Sequence, residues 1–206
     1  MANTSFQEVW YPHRIVECAG AVVVKKSTQQ VILLRDSKDS YTTLPKGRLW
    51  LRESPGEGVV RKAKEETGYT CKLVKCPLKC LQPKDADEDA SSSSVWIHLD
   101  VESPILMMTQ AILANGTMQL VWWYLAEVDE SVERQTTTGG LDEVNFKVHM
   151  KKDTSGMIEM AHSRLRFGAE AEVMRKGVGT WELMSQSSKF PQRKAELEVK
   201  LAAQRK

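Results

Sequence analysis

The sequence predicts an α/β protein, because two strand-like apolar segments flank a short, well-capped helix. Residues 19–24 are a continuous run of small and β-branched residues, which is typical of a strand buried on both faces. Residues 119–128 form a longer apolar and aromatic strand. Between them, residues 54–67 begin with Ser-Pro and are followed by a glycine, which predicts a helix with both ends capped.

The remaining elements follow from short apolar runs separated by polar or turn-forming residues. Further strands are predicted at 31–35, 69–79, 95–99 and 143–150. Polar turns or loops are predicted at 25–30 and 36–40, and a turn-rich insertion at 103–116. Helical patterns follow at 157–165 and 169–176.

The chain divides into three parts. Residues 1–14 form a leader, residues 15–180 form one domain, and residues 181–206 form a polar tail for which a helix is one alternative. Within the domain, residues 82–94 combine four acids with a run of four serines. Such a segment has little to bury, so we expect a mobile loop.

Length, charge and the N-terminus exclude several classes of protein. A chain of 206 residues is long enough to bury one hydrophobic core. A formal charge of +2 gives no strong electrostatic field that would favour binding to nucleic acid or to a membrane. We find neither a secretion signal nor an apolar stretch near the roughly 20 residues that span a bilayer. We therefore expect a cytoplasmic protein, with the nucleus as an alternative, that binds no membrane and no specific nucleic acid. Its oligomeric state stays open.

The four cysteines do not form a recognisable metal site. They lie at positions 18, 71, 76 and 80, with neither Cys-x-x-Cys spacing nor a neighbouring histidine. We expect free thiols in a reducing compartment.

One face of the predicted helix carries chemically interesting side chains. Lys62, Glu65 and Glu66 lie at i, i+3 and i+4, so they project from the same side. Together with Glu53 in the preceding loop, the two acids are hard oxygen ligands of the kind that Mg²⁺ or Mn²⁺ prefers. A solvated face with salt bridges is the alternative, and it is the commoner one for an isolated Glu-Glu pair.

The spacing of residues 47–69 resembles the Nudix box, Gly-x5-Glu-x7-Arg-Glu-apolar-x-Glu-Glu-x-Gly-apolar. The positions that match in register are Gly47, Glu53, Arg61, Ala63, Glu65, Glu66, Gly68 and Tyr69. This resemblance implies that residues 15–180 form a Nudix domain, an α/β/α sandwich with a mixed sheet. It also implies metal-dependent hydrolysis of a pyrophosphate bond in a phosphorylated small-molecule substrate, with Mg²⁺ or Mn²⁺ as the cofactor.

The lead-in to the box narrows the implied substrate. Leu44-Pro45-Lys46 resembles the lead-in of family members that act on diadenosine polyphosphates and diphosphoinositol polyphosphates. Lys46 and Arg48 flank Gly47 and are expected to reach substrate phosphates, and Arg35 and Arg52 are further candidates. A solvated basic surface is the alternative for the cations of this region.

The resemblance also assigns roles within the box. Glu65 and Glu66 are the expected metal ligands, and Glu53 is an outer ligand or an orienting acid. Arg61 is expected to pair with an acid of the box and hold the loop against the helix. Glu143 is a weaker candidate for an additional catalytic acid, because its surroundings do not distinguish it from neighbouring acids.

One position departs from the family pattern. Lys62 stands where the box has the glutamate that follows the arginine. A charged lysine cannot ligate Mg²⁺, and it can pair with Glu65 or Glu66. Two functions follow: a pyrophosphohydrolase impaired by Lys62, or a catalytically inactive Nudix-fold protein that binds a phosphorylated ligand or a protein partner.

Overall fold

The structure is a computed structural model that describes residues 10–36, 42–80, 96–101, 105–135, 141–147 and 168–185. The described elements are, in chain order, β1 Ile15–Lys25, β2 Gln30–Asp36, β3 Thr42–Thr43, β4 Lys46–Arg48, α1 Pro55–Thr67, β5 Cys71–Leu73, β6 Cys76–Cys80, β7 Trp96–Val101, β8 Ile105–Ile112, β9 Met118–Val128, β10 Leu141–Lys147 and α2 Gly168–Ser185. A turn of 3-10 helix, Pro12–Arg14, precedes β1.

Eight of the described strands form one mixed sheet around β1 and β9. The central order is β10-β2-β1-β9-β5, while β3, β4 and β8 pair with β2, β1 and β9 respectively. Strands β1 and β9 run parallel from the pair Ile15 and Met118 to the pair Val24 and Glu127. The other described pairings are antiparallel, and β6 and β7 form a separate two-stranded sheet.

The two helices cover opposite faces of this sheet, which confirms the predicted α/β/α sandwich. Alternate side chains of β1 point to opposite faces, as the strand period of two requires. Ala21 and Val23 contribute to the core beneath α1, together with Val59 of that helix. Val22 contributes to the other core, together with Val173 of α2. The prediction that β1 is buried on both faces is therefore also confirmed.

Helix α1 is fixed at both ends by local interactions. The Ser54 side chain accepts a hydrogen bond from the Glu57 backbone N–H, and the Glu57 carboxylate accepts one from the Ser54 N–H, 3.0 Å away. Pro55 occupies the first helical position, and Gly68 ends the helix with φ of 76°. A Cβ on Gly68 would lie 2.1 Å from the Gln135 carbonyl oxygen. The predicted caps at Ser54 and Gly68 are confirmed, and the reciprocal bond from Glu57 adds to them.

Two predicted segments differ from the structure. Residues 69–79 are divided between β5 and β6, which belong to different sheets. The break lies at residues 74–75, where the Val74 N–H bonds to the Leu125 carbonyl. Pro77, which has no N–H to donate, lies within β6, where the register with β7 shifts between Cys76 and Leu78. The predicted insertion at 103–116 contains strand β8, which forms a hairpin with β9. Its local sequence is a weak strand signal, and the pairing with β9 decides the outcome.

The last described helix extends beyond its predicted end. Helix α2 continues through Ser185, and Trp181 is buried and donates from Nε1 to the Glu127 carboxylate at 2.7 Å. The predicted loops at 36–40 and 82–94, the predicted helix at 157–165 and the tail beyond residue 185 lie mostly or wholly outside the described residues.

Cysteines 18, 71 and 76 are free, as predicted, and all three are buried. Burial raises the pKa of the Cys71 thiol to about 12 and that of the Cys76 thiol to about 11. In the described part of the chain, no helix has the length and apolar character needed to cross a membrane.

Two glycines of α2 provide a matched test of the packing between this helix and the sheet. A Cβ on Gly177 would lie 2.6 Å from Cγ2 of the fully buried Val22, whereas a Cβ on Gly179 would meet no atom within 4 Å. We expect Gly177→Ala to lower the free energy of unfolding by about 1–3 kcal/mol through overpacking. Gly179→Ala should raise it by about 0.5–1 kcal/mol through helix propensity. Urea unfolding measures both, and changes of the same sign would contradict this packing.

Candidate active site

The candidate site lies where α1 crosses β4. Gly47 pairs with Ala19 of β1 and faces α1. A Cβ on Gly47 would lie 2.4 Å from Cε and 2.5 Å from Cδ of Lys62. The methylene stem of Lys62 therefore runs directly across the glycine backbone, and a larger residue at position 47 would displace it.

A two-pronged ion pair joins the preceding loop to α1. The Arg61 guanidinium donates from Nε and Nη2 to the two carboxylate oxygens of Glu53, each at 2.6 Å. Nη2 also donates to the Arg48 carbonyl at 3.0 Å, and the Trp50 N–H donates to Glu53 at 2.8 Å. Arg61 holds the pKa of Glu53 below its ordinary value, and Glu53 in turn raises the pKa of Arg61. The predicted pairing of Arg61 with an acid of the box is therefore present.

Glu65 stands between two cations. One carboxylate oxygen accepts from Arg61 Nη1 at 3.0 Å, and the other accepts from Lys62 Nζ at 2.7 Å. Lys62, followed by the bond to Arg61, lowers the pKa of Glu65 against an opposing effect of burial. The expected ion pair of Lys62 is thus made with Glu65, and both oxygens of this carboxylate are engaged.

Glu66 has a different environment from its neighbour. It is half-buried, and one carboxylate oxygen accepts from the Lys46 backbone N–H at 3.1 Å. Burial raises the pKa of Glu66 to about 7, although the Lys46 N–H and the charge of Lys62 act in the opposite direction. Glu66 therefore carries a proton for part of the time at neutral pH.

The ammonium of Lys46 is directed at a buried acid on helix α2. Lys46 Nζ donates to Glu170, which is 2% exposed, and also to Thr43 Oγ1 at 3.2 Å. Glu170 further accepts from the Leu44 N–H at 3.1 Å and from Thr43 Oγ1 at 3.0 Å. The ammonium of Lys46, which was expected to reach substrate phosphates, thus forms an ion pair with Glu170. This ion pair fixes the lead-in segment to α2.

Glu170 is not among the site residues predicted from the sequence. Its signal is positional: it shares the buried stripe of α2 with Val173, Met174 and Gly177 at i+3, i+4 and i+7. An acid on such a stripe requires a buried partner, and the partner lies far away in sequence.

The other predicted site residues are spread around this cluster. Arg48 and Arg52 are exposed in the segment before α1, and Arg52 adopts a left-handed backbone with φ of 71°. Arg35 is half-buried on β2, and its Nε has no hydrogen-bond partner among the residues that the structure describes. Glu143 lies on β10 opposite Leu34 of β2, and its side chain is outside the description.

The carboxylates do not form a ready site for a divalent ion. Within the described ranges, no group of three or more His, Cys, Asp and Glu side chains is placed to hold a metal. Both oxygens of Glu53 and both of Glu65 already accept hydrogen bonds from side chains of the protein, which leaves one oxygen of Glu66. Mg²⁺ and Mn²⁺ rely on several carboxylate, carbonyl or water oxygens. The arrangement therefore does not fit the implied ion while Lys62 holds Glu65.

Solved structures with a similar fold cover most of the chain. A NUDIX hydrolase from Nitrosomonas europaea superposes with a TM-score of 0.52 and 14% identity, covering 80% of this chain and 90% of that one. A NUDIX family hydrolase from Clostridium perfringens gives a TM-score of 0.51 and 16% identity, covering 79% and 95%. At these identities the likeness concerns the fold.

The sequence matches a family model, although it matches no individual curated protein. The family model described as NUDIX domain matches residues 16–135, which is more than half of the chain and includes all of β1 but its first residue, the whole box and β9. The chain therefore belongs to the NUDIX family.

Proposed function

We propose that this NUDIX domain binds a diphosphoinositol or dinucleoside polyphosphate and hydrolyses its pyrophosphate bond poorly, because Lys62 occupies the position of a metal ligand. The family supports pyrophosphohydrolase activity in general. The observation that carries the proposal is the 2.7 Å bond from Lys62 Nζ to Glu65. The substrate class follows from the resemblance of Leu44-Pro45-Lys46 to the lead-in of enzymes for these compounds.

The local charge opposes divalent-ion binding. A lysine in place of a glutamate removes one negative charge and adds a positive one on the helix face that carries Glu65 and Glu66. An incoming ion would have to displace the Lys62 ammonium from Glu65 and then remain near it. Like charges a few ångströms apart repel by about 1 kcal/mol in water and by several kcal/mol near a protein surface.

The cations around the candidate active site favour binding of a phosphorylated ligand. Lys62 is only partly buried, and Arg48 and Arg52 are exposed in the adjoining segment. Lysine ammonium and arginine guanidinium groups donate charge-assisted hydrogen bonds to phosphate oxygens. Lys62 therefore supplies positive charge to the ligand where the family would use a metal, but it provides no activated water for hydrolysis. Binding without efficient turnover is the expected result.

The first test restores the family residue. We expect Lys62→Glu to raise the Mg²⁺-dependent turnover of diadenosine tetraphosphate or of a diphosphoinositol polyphosphate by at least about 100-fold, as hydrolysis depends on the metal. Product formation is followed by anion-exchange chromatography. Lys176→Glu makes the same charge change at an exposed position on α2, on the opposite face of the sheet, and should leave turnover unchanged.

Two results would count against this explanation. Brisk turnover by the unaltered protein, with little effect of Lys62→Glu, would mean that another acid, such as Glu143, has taken the role. Inert proteins in both forms, with ligand binding retained, would identify a binding domain without catalytic capacity.

A second test measures the metal directly. Calorimetric titration with Mn²⁺ should show binding that is weak in the unaltered protein and at least about tenfold tighter after Lys62→Glu, because a carboxylate replaces an ammonium. Adding Glu66→Gln to Lys62→Glu should remove most of the gain. Equal affinities of the single and double variants would place the ion away from Glu66.

A third test uses the raised pKa of Glu66. With a folded-state value of about 7 against an ordinary 4.5, the folded protein binds this proton more tightly than the unfolded chain does. The free energy of unfolding should therefore fall as pH rises from about 4.5 to about 7, by up to about 3 kcal/mol. Urea unfolding at several pH values measures the slope, which Glu66→Gln should reduce. An unchanged slope in this variant would assign the effect to another group.

A further inference from the structure

The segment between β4 and α1 exposes two large apolar side chains. Trp50 is 64% exposed and Leu51 is 93% exposed, next to the candidate active site in sequence. A single exposed leucine is ordinary, but an adjacent tryptophan and leucine beside a cleft are typical of a ligand-binding surface.

Trp50 is held in place although its ring is exposed. The Arg61 guanidinium lies over the indole with Cζ 4.0 Å from the ring centroid. Arg61 is itself fixed by the Glu53 carboxylate. The Trp50 N–H donates to the same carboxylate, and the Trp50 carbonyl accepts from the Glu53 N–H at 3.1 Å. One face of the indole is therefore covered by a cation, and the exposed part of the ring is presented on a fixed support.

The ring lies beside a cleft of about 880 Å³ between this segment and α1. Its apolar wall is made by Leu51, Val60 and Leu73, and its charged lining includes Arg52 and Lys64. Two acids also line it: Glu53 is paired with Arg61, whereas the Glu57 carboxylate accepts from Ser54 in the helix cap and keeps its negative charge. Pockets of 300–1,000 Å³ accommodate small ligands of about nucleotide size.

We infer that this cleft binds the base of a nucleotide ligand, with the base stacked on the open face of Trp50. An aromatic base gains stacking energy on an indole, and the apolar wall suits its edges. Two of the three cations of the lining, Lys64 and Arg52, complement the negative charge of phosphates. A phosphorylated inositol ring has no π face that could stack on the indole.

The cleft and the candidate active site share Arg61. Its guanidinium stacks on Trp50 and also donates to Glu65 at 3.0 Å, so one side chain separates the indole from the acid that holds Lys62. A nucleotide bound in the cleft therefore lies next to the candidate active site, with Arg61 between the two. This inference rests on the proposed function and selects dinucleoside polyphosphates over diphosphoinositol polyphosphates.

The experiment compares two probes by calorimetry without added metal: diadenosine tetraphosphate and inositol hexakisphosphate. Trp50→Ala should weaken binding of the dinucleotide about tenfold or more, as expected for loss of one stacked base, and leave the inositol compound unaffected. Trp50→Phe should retain most of the affinity. Tyr11→Ala removes an aromatic ring of similar exposure, 63%, outside the cleft, and should change neither affinity.

The outcomes separate this inference from the proposed function. Unchanged dinucleotide affinity in Trp50→Ala, or an equal loss for both probes, overturns the stacking site while the proposed function stands. No binding of either probe by the unaltered protein overturns both. Urea unfolding of Trp50→Ala checks that the fold persists, and Trp50→Phe, which keeps a ring over Arg61, decides the matter if it does not. Retained affinity in Trp50→Phe then supports stacking, and affinity lost as in the alanine variant overturns it.

Discussion

The pairing of Arg61 with Glu53 is the interaction on which the arrangement of the site depends. It ties the segment before α1 to the middle of the helix through two short bonds, and the remaining groups of Arg61 reach Glu65, the Arg48 carbonyl and the Trp50 ring. Such charge-assisted, bidentate contacts fix geometry as well as contribute energy. The positions of Glu65, Trp50 and the chain around Gly47 are therefore set largely by one guanidinium.

Features that depend on neighbouring residues could be predicted from the sequence. Ser54, Pro55 and Gly68 determine the helix ends through local bonds and backbone preferences, and the spacing of the acids in α1 is a property of the helix itself. The double burial of β1 could also be predicted, because a strand without polar alternation has no face to offer to water. These predictions required no knowledge of distant partners.

The features that could not be predicted depend on contacts between distant segments. Glu170 is an unremarkable acid in sequence, and only the packing of α2 brings it to Lys46 and Leu44. Strand β8 forms because β9 lies beside it. The pKa of Glu66 is raised by burial, whereas that of Glu65 is lowered, and the spacing of residues along a helix does not predict this difference. The pairing of Lys46 with Glu170 could not be predicted for the same reason.

The parallel pairing of β1 with β9 also has a consequence for how the molecule forms. It joins residues 15–24 to residues 118–127, so the central ladder closes only after most of the chain has been synthesised. Pairings of such long sequence separation carry a large loop-closure cost and slow folding. Until β9 arrives, the apolar run of β1 has an unpaired edge, a surface that can associate with other chains. A nascent chain therefore depends on protection of this strand during synthesis more than the completed domain does.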